Sequence, residues 1–444
     1  MLQRDVEKSL MHSSAFPSTT LKKALSQALG SVPLRFSAQD FASASLFFFL
    51  ILTTISLATT SSVSRVVIEG VRGISLSGML LCIALSILYS RGLRLTTLTS
   101  LLIMYCLLFY GMFLAVLNGG FETSLLGLPI DLFLITMGIL ILSLQDGTII
   151  SKRMASRLLW YSGFVLLITV ATGGMRLSVP PSFNFEYLSH VQGGEVRYSQ
   201  GMSKFFGISA VCAVFLAFEH KTMKERSGYY LLAISFVLLS FLGGSRGDSL
   251  AIAVLLMGYT LYKAPHYIIY VVSVGFFVPL FLSRIIDLEN IVIVSRLLAL
   301  KDNLGMRDVL LRDVILLLEN RPICLLQGCG YDYFQAHFRY NAGLYPHNYV
   351  AESIIVFGIP LSATLFSLAF YGLYISRSVH SAQPDAYPMI FIFLIIIGLK
   401  GGSLNSDWVL TSGLVFFATI AIVHPYGRRY GSRKQWAEKP ARTV

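Results

Sequence analysis

A series of apolar runs, each long enough to cross a hydrocarbon core and nearly free of charge, constrains this chain more than anything else in it. The runs begin near residues 43, 75, 95, 124, 157, 205, 228, 248, 266, 347, 386 and 406. A bilayer core takes about 20 apolar residues in helical form. Lipid offers no partner to a free peptide group, so each run is expected to be a helix. The expected fold is an all-α polytopic membrane protein with about 12 transmembrane helices. Only 13% of residues are charged while 55% are hydrophobic. Water-soluble domains carry about a quarter charged residues, so a soluble enzyme is excluded.

Basic residues then set an expected direction. With the N-terminus in the cytoplasm, the inner side receives Arg4, Lys8, Lys22, Lys23, Arg35, Arg91, Arg94, Lys152, Arg153, Arg157, Lys221, Lys224, Arg226, Lys263, Arg377 and the basic tail, 21 of the 35 Lys and Arg. Short outer loops hold only Arg65, Arg72, Arg246 and Lys400. Inner loops are the ones enriched in Lys and Arg. The net charge of +12 therefore reports orientation rather than a nucleic-acid partner. The expected organisation is a cytoplasmic N-terminal segment at 1–42 and a transmembrane domain at 43–424. Longer outer loops fall near 172–204 and 285–346, and a basic cytoplasmic tail occupies 425–444. No cleavable signal is expected, because the first apolar run starts late and lacks a small-residue cleavage site behind it. No internal repeat is visible.

Three places concentrate unusual residues, all on the expected outer side. The first is Gly243-Gly244-Ser245-Arg246-Gly247-Asp248, a tight turn between two apolar runs. An Arg at a membrane boundary usually has a partner. Arg246 either snorkels or pairs with Asp248, or it forms an anion-binding fork, since guanidinium matches phosphate geometry in a bidentate way. The second is Gly328-Cys329-Gly330-Tyr331, followed by Tyr345-Pro346-His347-Asn348-Tyr349 and Glu352. An imidazole at a helix start is favoured in its neutral form, able to accept a proton or to position a phosphate oxygen; the alternative is that His347 simply caps the helix. Gly358, eleven residues on, is expected on the same helix face about 20° away. The third is Arg197-Tyr198-Ser199-Gln200-Gly201, just before the run near Lys204.

Other residues weigh less. Asp131, after Pro129, is either an intramembrane functional carboxylate or part of helix-break packing. Asp287 and Glu289 form the only D-x-E on the outer side and are a weak divalent-metal candidate. The alternation of charged and apolar residues from Arg296 to Glu319 reads as an amphipathic helix on the outer surface. Cys82, Cys106 and Cys212 lie in apolar runs. Cys324 and Cys329 could pair in an oxidising compartment, although a five-residue separation inside a helix would strain the bridge, so their oxidation state stays open. No G-x-S-x-G, Walker loop or H-E-x-x-H occurs.

The order Arg197…Gly201, Gly-Gly-Ser-Arg246-Gly, Gly-x-Gly…Pro-His347-Asn and Gly358 resembles the O-antigen ligase and O-antigen polymerase superfamily over most of the chain. The resemblance implies a GT-C-like bundle with a longer periplasmic loop carrying short helices, in a bacterial inner (cytoplasmic) membrane. It implies a metal-independent, inverting glycosyltransferase with no cofactor. The donor is a glycan on undecaprenyl diphosphate, the acceptor is a sugar, and a chain-length regulator is a candidate partner. By the same resemblance Arg197, Arg246 and His347 bind the diphosphate, and His347, Arg246 and Glu352 are the catalytic candidates, with Arg197 the weakest match. Fixed cations aimed at a leaving diphosphate lower the barrier most in a dry site, and His347 or Glu352 would take the acceptor proton. The residues do not separate a polymerase from a ligase acting on a lipid A core; polymerase is the reading preferred here. The alternative class is a transporter or flippase of a lipid-linked substrate, which would place ionisable residues at mid-span in paired broken helices. A structural membrane subunit would leave the Arg/Arg/His group unexplained.

Overall fold

The computed structural model describes residues 37–57, 65–89, 95–119, 128–145, 148–171, 200–242, 246–265, 306–340, 344–379, 384–401, 403–404 and 407–437, together with four two-residue strands between 175 and 196. The described residues are overwhelmingly helical. In chain order the helices are α1 (Ala38–Leu57), α2 (Arg65–Tyr89), α3 (Leu95–Asn118), α4 (Leu128–Leu144), α5 (Lys152–Ala171), α6 (Gln200–Glu219), α7 (Met223–Leu242) and α8 (Arg246–Lys263). They continue with α9 (Met306–Asn320), α10 (Ile323–Leu326), α11 (Tyr333–Phe338), α12 (Tyr349–Val379), α13 (Tyr387–Gly401) and α14 (Trp408–Ala437). Five of these are long and apolar enough to cross a membrane, within α2, α3, α6, α7 and α12, and shorter apolar helices lie in α1, α4, α8, α13 and α14. The chain is an all-α protein of membrane-embedded character.

Several helices start earlier than their apolar runs because polar residues make the caps. Ser37 and Asp40 form a reciprocal box at the start of α1: the Ser37 N–H and hydroxyl both donate to the Asp40 carboxylate, and the Asp40 N–H donates to the Ser37 hydroxyl. Thr222 accepts from the Glu225 N–H at the start of α7. The run expected near 266, like Asp287 and Glu289, lies outside the described residues. The expected outer loop at 172–204 ends sooner, because α6 begins at Gln200 and takes in Lys204. In place of an open loop, Met175–Arg176 pairs with Ser182–Phe183 and Tyr187–Leu188 pairs with Glu195–Val196, both antiparallel. The tail expected from 425 is helical through Ala437, with Pro425 inside α14.

The core is built on a helix that is apolar on all sides. In α6, Phe206, Ala210, Ala213 and Ala217 are completely buried, and this helix is enclosed by α5, α7 and α8. A second packing centre joins α12 to α14, with α3 and α4 against α14. Small residues let the backbones approach: Ser412 donates to the Ile135 carbonyl, and Ser100 donates to Thr419. Of the amphipathic helix expected from 296 to 319, residues 296–305 lie outside the described residues, and the part from Met306 on is α9. Its Leu310, Val314 and Leu317, spaced four and three apart, pack on Cys324, Tyr333, Phe334 and Ile355.

Candidate functional site

Polar contacts gather several helix ends into one end of the bundle. Asp131 at the start of α4 accepts the Trp408 indole N–H at 2.7 Å. Lys204 in the first turn of α6 pairs with Asp407 at 2.7 Å. Asp248 in the first turn of α8 pairs with Lys400 at the end of α13, 3.3 Å away. At the start of α12, Glu352 accepts the Ser403 hydroxyl at 3.2 Å and the Leu404 N–H at 3.1 Å. Thus α4, α6, α8, α12 and α14 begin at this end, and α3 and α13 finish there.

The residues that the sequence singles out distribute unevenly around this end. Arg197 lies outside the described residues. Arg246 is the first residue of α8, two residues before Asp248. His347 stands in the segment leading into α12, half-buried, with its ring centroid 4.0 Å from that of Tyr345. The Tyr345 hydroxyl donates to the Gly401 carbonyl at 3.2 Å. Lys400 and Gly401 are adjacent, so one helix end carries both the partner of Asp248 and the partner of Tyr345. The sequence elements around Arg246 and His347, about a hundred residues apart, therefore meet on the C-terminal end of α13.

Two expectations about this region change. His347 neither caps α12 nor lies on its first turn. Asn348 is the cap, its side-chain oxygen accepting the Val350 and Ala351 N–H groups at 3.0 Å each. His347 precedes it with φ +53°, a left-handed conformation uncommon for a non-glycine residue. Such conformations cost about 1–3 kcal/mol and cluster at functional sites. Counting helical turns from His347 to Gly358 therefore has no meaning, and Gly358 is itself a break in α12, at φ 79°, ψ 164°. The offset expected along one regular helix does not exist.

That break explains the Gly-Cys-Gly-Tyr segment. A non-helical Gly358 and a Pro360 without an N–H leave the carbonyls of Ile355 and Val356 without their usual i+4 donors. The Cys329 N–H donates to Ile355 at 2.6 Å and the Gly330 N–H to Val356 at 3.2 Å. The segment is also tied to α3: the Tyr331 N–H donates to Gly111, Asn118 donates to the Cys329 carbonyl, and the Tyr110 hydroxyl donates to the Gln327 carbonyl. Gly330 has φ +91°, and a Cβ there would stand 2.1 Å from the Ala115 amide nitrogen. Expected within the outer loop near 285–346, these residues complete a kinked helix. Cys324 and Cys329 form a disulfide across the same turn, with Cα atoms 5.0 Å apart; α10 ends at Leu326, so the bridge leaves the helix rather than spanning within it.

The remaining assignments shift in detail. Asp248, one of the partners considered for Arg246, is paired with Lys400 and is almost fully buried; the Arg246 side chain lies outside the described residues. Asp131 belongs to the first turn of α4 and holds Trp408, which is packing at a helix end and not a mid-span carboxylate. Lys204, Lys400, Ser403 and Asp407 carry much of the polar network, and the sequence reading assigned them no role. One signal for them was present: the sequence Gly401-Gly402-Ser403 repeats Gly243-Gly244-Ser245, and each comes at the end of an apolar helix. Both oxygens of Glu352 accept hydrogen bonds from the 403–404 turn, so this carboxylate ties α12 to the link between α13 and α14.

No protein-family model matches the chain, and no curated protein matches it significantly.

Proposed function

We propose that this protein is a membrane glycosyltransferase that moves a glycan from an undecaprenyl diphosphate carrier to an acceptor sugar, most simply as a polysaccharide polymerase of the O-antigen type in a bacterial inner membrane. The observation that carries this reading is the meeting of the Arg246 turn and the His347 segment at one helix end, beside Lys400, with Lys204 in the same polar network. Negative charge builds on the diphosphate as the glycosyl bond breaks, and preorganised cations in a dry, low-dielectric site stabilise it. Arg246, and Arg197 where its segment reaches the site, hold that diphosphate as bidentate forks. His347 accepts the proton of the attacking hydroxyl, and attack from the face opposite the leaving group inverts the anomeric centre. Glu352, whose oxygens are already occupied by Ser403 and Leu404, keeps the floor of the site in place.

In this reading the bundle has about 12 spans in a GT-C-like arrangement, and the end bearing His347 faces the periplasm. The Cys324–Cys329 disulfide is consistent with an oxidising compartment at that end. The many cations at the other end, around Lys152, Lys221 and Lys224, agree with a cytoplasmic face.

The test is replacement of His347 or Arg246 by Ala in cells. Surface glycan should disappear, a loss of at least about 100-fold for a general base, while the protein remains in the membrane at normal amount. Normal glycan in either variant would remove the assignment. Deletion of the gene distinguishes the two transferases: single repeat units on the acceptor mark lost polymerisation, and accumulated long lipid-linked chains mark lost ligation.

A further inference from the structure

We infer that the groove between α5 and α7, at the end of the bundle opposite the candidate site, binds the acyl chain of an anionic glycerophospholipid whose phosphate is held by Arg153 and Lys224. This inference does not depend on the proposed transferase activity. The groove has a volume of about 430 Å³ and is lined by Ser156, Trp160 and Gly163 from α5 and by Glu225, Gly228 and Phe236 from α7. Its floor is open because a Cβ at Gly163 or Gly228 would meet nothing within 4 Å. Its rim is apolar and turned outward, with Trp160 at 80% exposure. In a membrane-embedded chain that position faces lipid, and an indole near the helix start suits the depth of the headgroup boundary.

Charge selects the occupant. Residues three or four apart share a helix face. Arg153 therefore stands one turn before Ser156 on the row that continues to Trp160 and Gly163, and Lys224 stands one turn before Gly228. Both are exposed, as are Lys221 and Arg157 beside them. The carboxylates at this mouth are engaged: Glu219 holds Lys152 at 2.9 Å, and Glu225 accepts from Thr222 at 2.6 Å and contacts His220 at 3.2 Å. Arg153 and Arg157 also interact electrostatically with Asp40 on α1. The balance stays positive, and basic pockets between transmembrane helices are where anionic headgroups lodge. A zwitterionic lipid fills the same slot but gains nothing from the two cations. A second copy of this chain would bring an identical set of cations against this one, which like-charge repulsion opposes.

The experiment reconstitutes the full chain in phosphatidylcholine vesicles doped with phosphatidylglycerol, extracts it gently, and counts retained lipids by native mass spectrometry. The intact protein should retain phosphatidylglycerol over phosphatidylcholine. Joint replacement of Arg153→Gln and Lys224→Gln should cut that preference by about fivefold for each cation removed. Gly163→Leu, whose Cβ meets nothing within 4 Å and whose side chain projects into the groove, should abolish retention of the tightly held lipid while leaving the cations in place. Equal retention of the two lipids by the intact protein would overturn the inference, as would a preference unchanged in both variants. A change of oligomeric state in Gly163→Leu with unchanged phosphatidylglycerol retention would give the groove to a second copy instead.

Discussion

The two ends of the helix bundle are held by the same chemical groups in different solvents. At the Lys400 end the carboxylate of Asp248 has 4% of its side-chain surface exposed and its lysine 23%; Lys204 and Asp407 are similarly withdrawn at 19% and 16%. At the Lys152 end the lysine is 47% exposed, and Glu225 is 52% exposed beside His220. Ion pairs in water contribute little because solvent already stabilises each charge. Withdrawn pairs are costly to assemble and costlier to break, because the survivor is left without water or partner. The first end also contains the left-handed His347, the broken α12 and the disulfide-closed turn beneath it. The second is built from ordinary caps and from Asp385, which accepts the Ile149 and Ile150 N–H groups at 2.8 Å each. The proposed transferase site would draw on an end whose charges are already desolvated and whose backbone is already fixed.

Substitutions can break this contrast. The largest loss is expected for Gly330→Ala, whose new Cβ would collide with the Ala115 backbone at 2.1 Å in a positive-φ position. Overpacking and conformational strain together should cost about 3 kcal/mol, seen as loss of monodisperse protein on gel filtration in detergent. Gly163→Ala, with nothing within 4 Å, is the control; it should be neutral or stabilising by up to about 1 kcal/mol. A smaller effect is expected for Asp248→Asn, which removes the charge paired with Lys400. About 2 kcal/mol is the expected cost, below that of a fully buried pair because the lysine is partly exposed. Thermal unfolding in detergent measures it, and adding Lys400→Met should restore more than half of the loss. Lys152→Met at the other end should change stability by less than about 1 kcal/mol. If Lys152→Met proved as damaging as Asp248→Asn, the distinction between the ends would not hold.

Much of this architecture was legible in the chain. Eleven of the twelve apolar runs coincide with described helices, because hydrophobic content over about 20 residues is a local property. That the chain near Asp248 and the chain near Tyr345 both contact the end of α13 is what the structure adds to the expected grouping of Arg246 with His347. The errors came where partners distant in sequence decide a local conformation. Gly358 looked like one more helical residue; its break is stable only because Cys329 and Gly330 supply donors to the freed carbonyls. Nothing near Asp248 in the sequence pointed to Lys400, which the end of α13 delivers to it from 152 positions away.

The amino-acid order alone thus determined the membrane-embedded character of the chain and where most of its helices lie, since burial of apolar side chains and pairing of peptide groups within a helix need no distant partner. Which cation meets which carboxylate, where α12 breaks and what the Gly-Cys-Gly turn is for were decided only by tertiary structure. A hydrogen bond or ion pair acts over a few ångströms, and which groups come within that range depends on how whole helices pack.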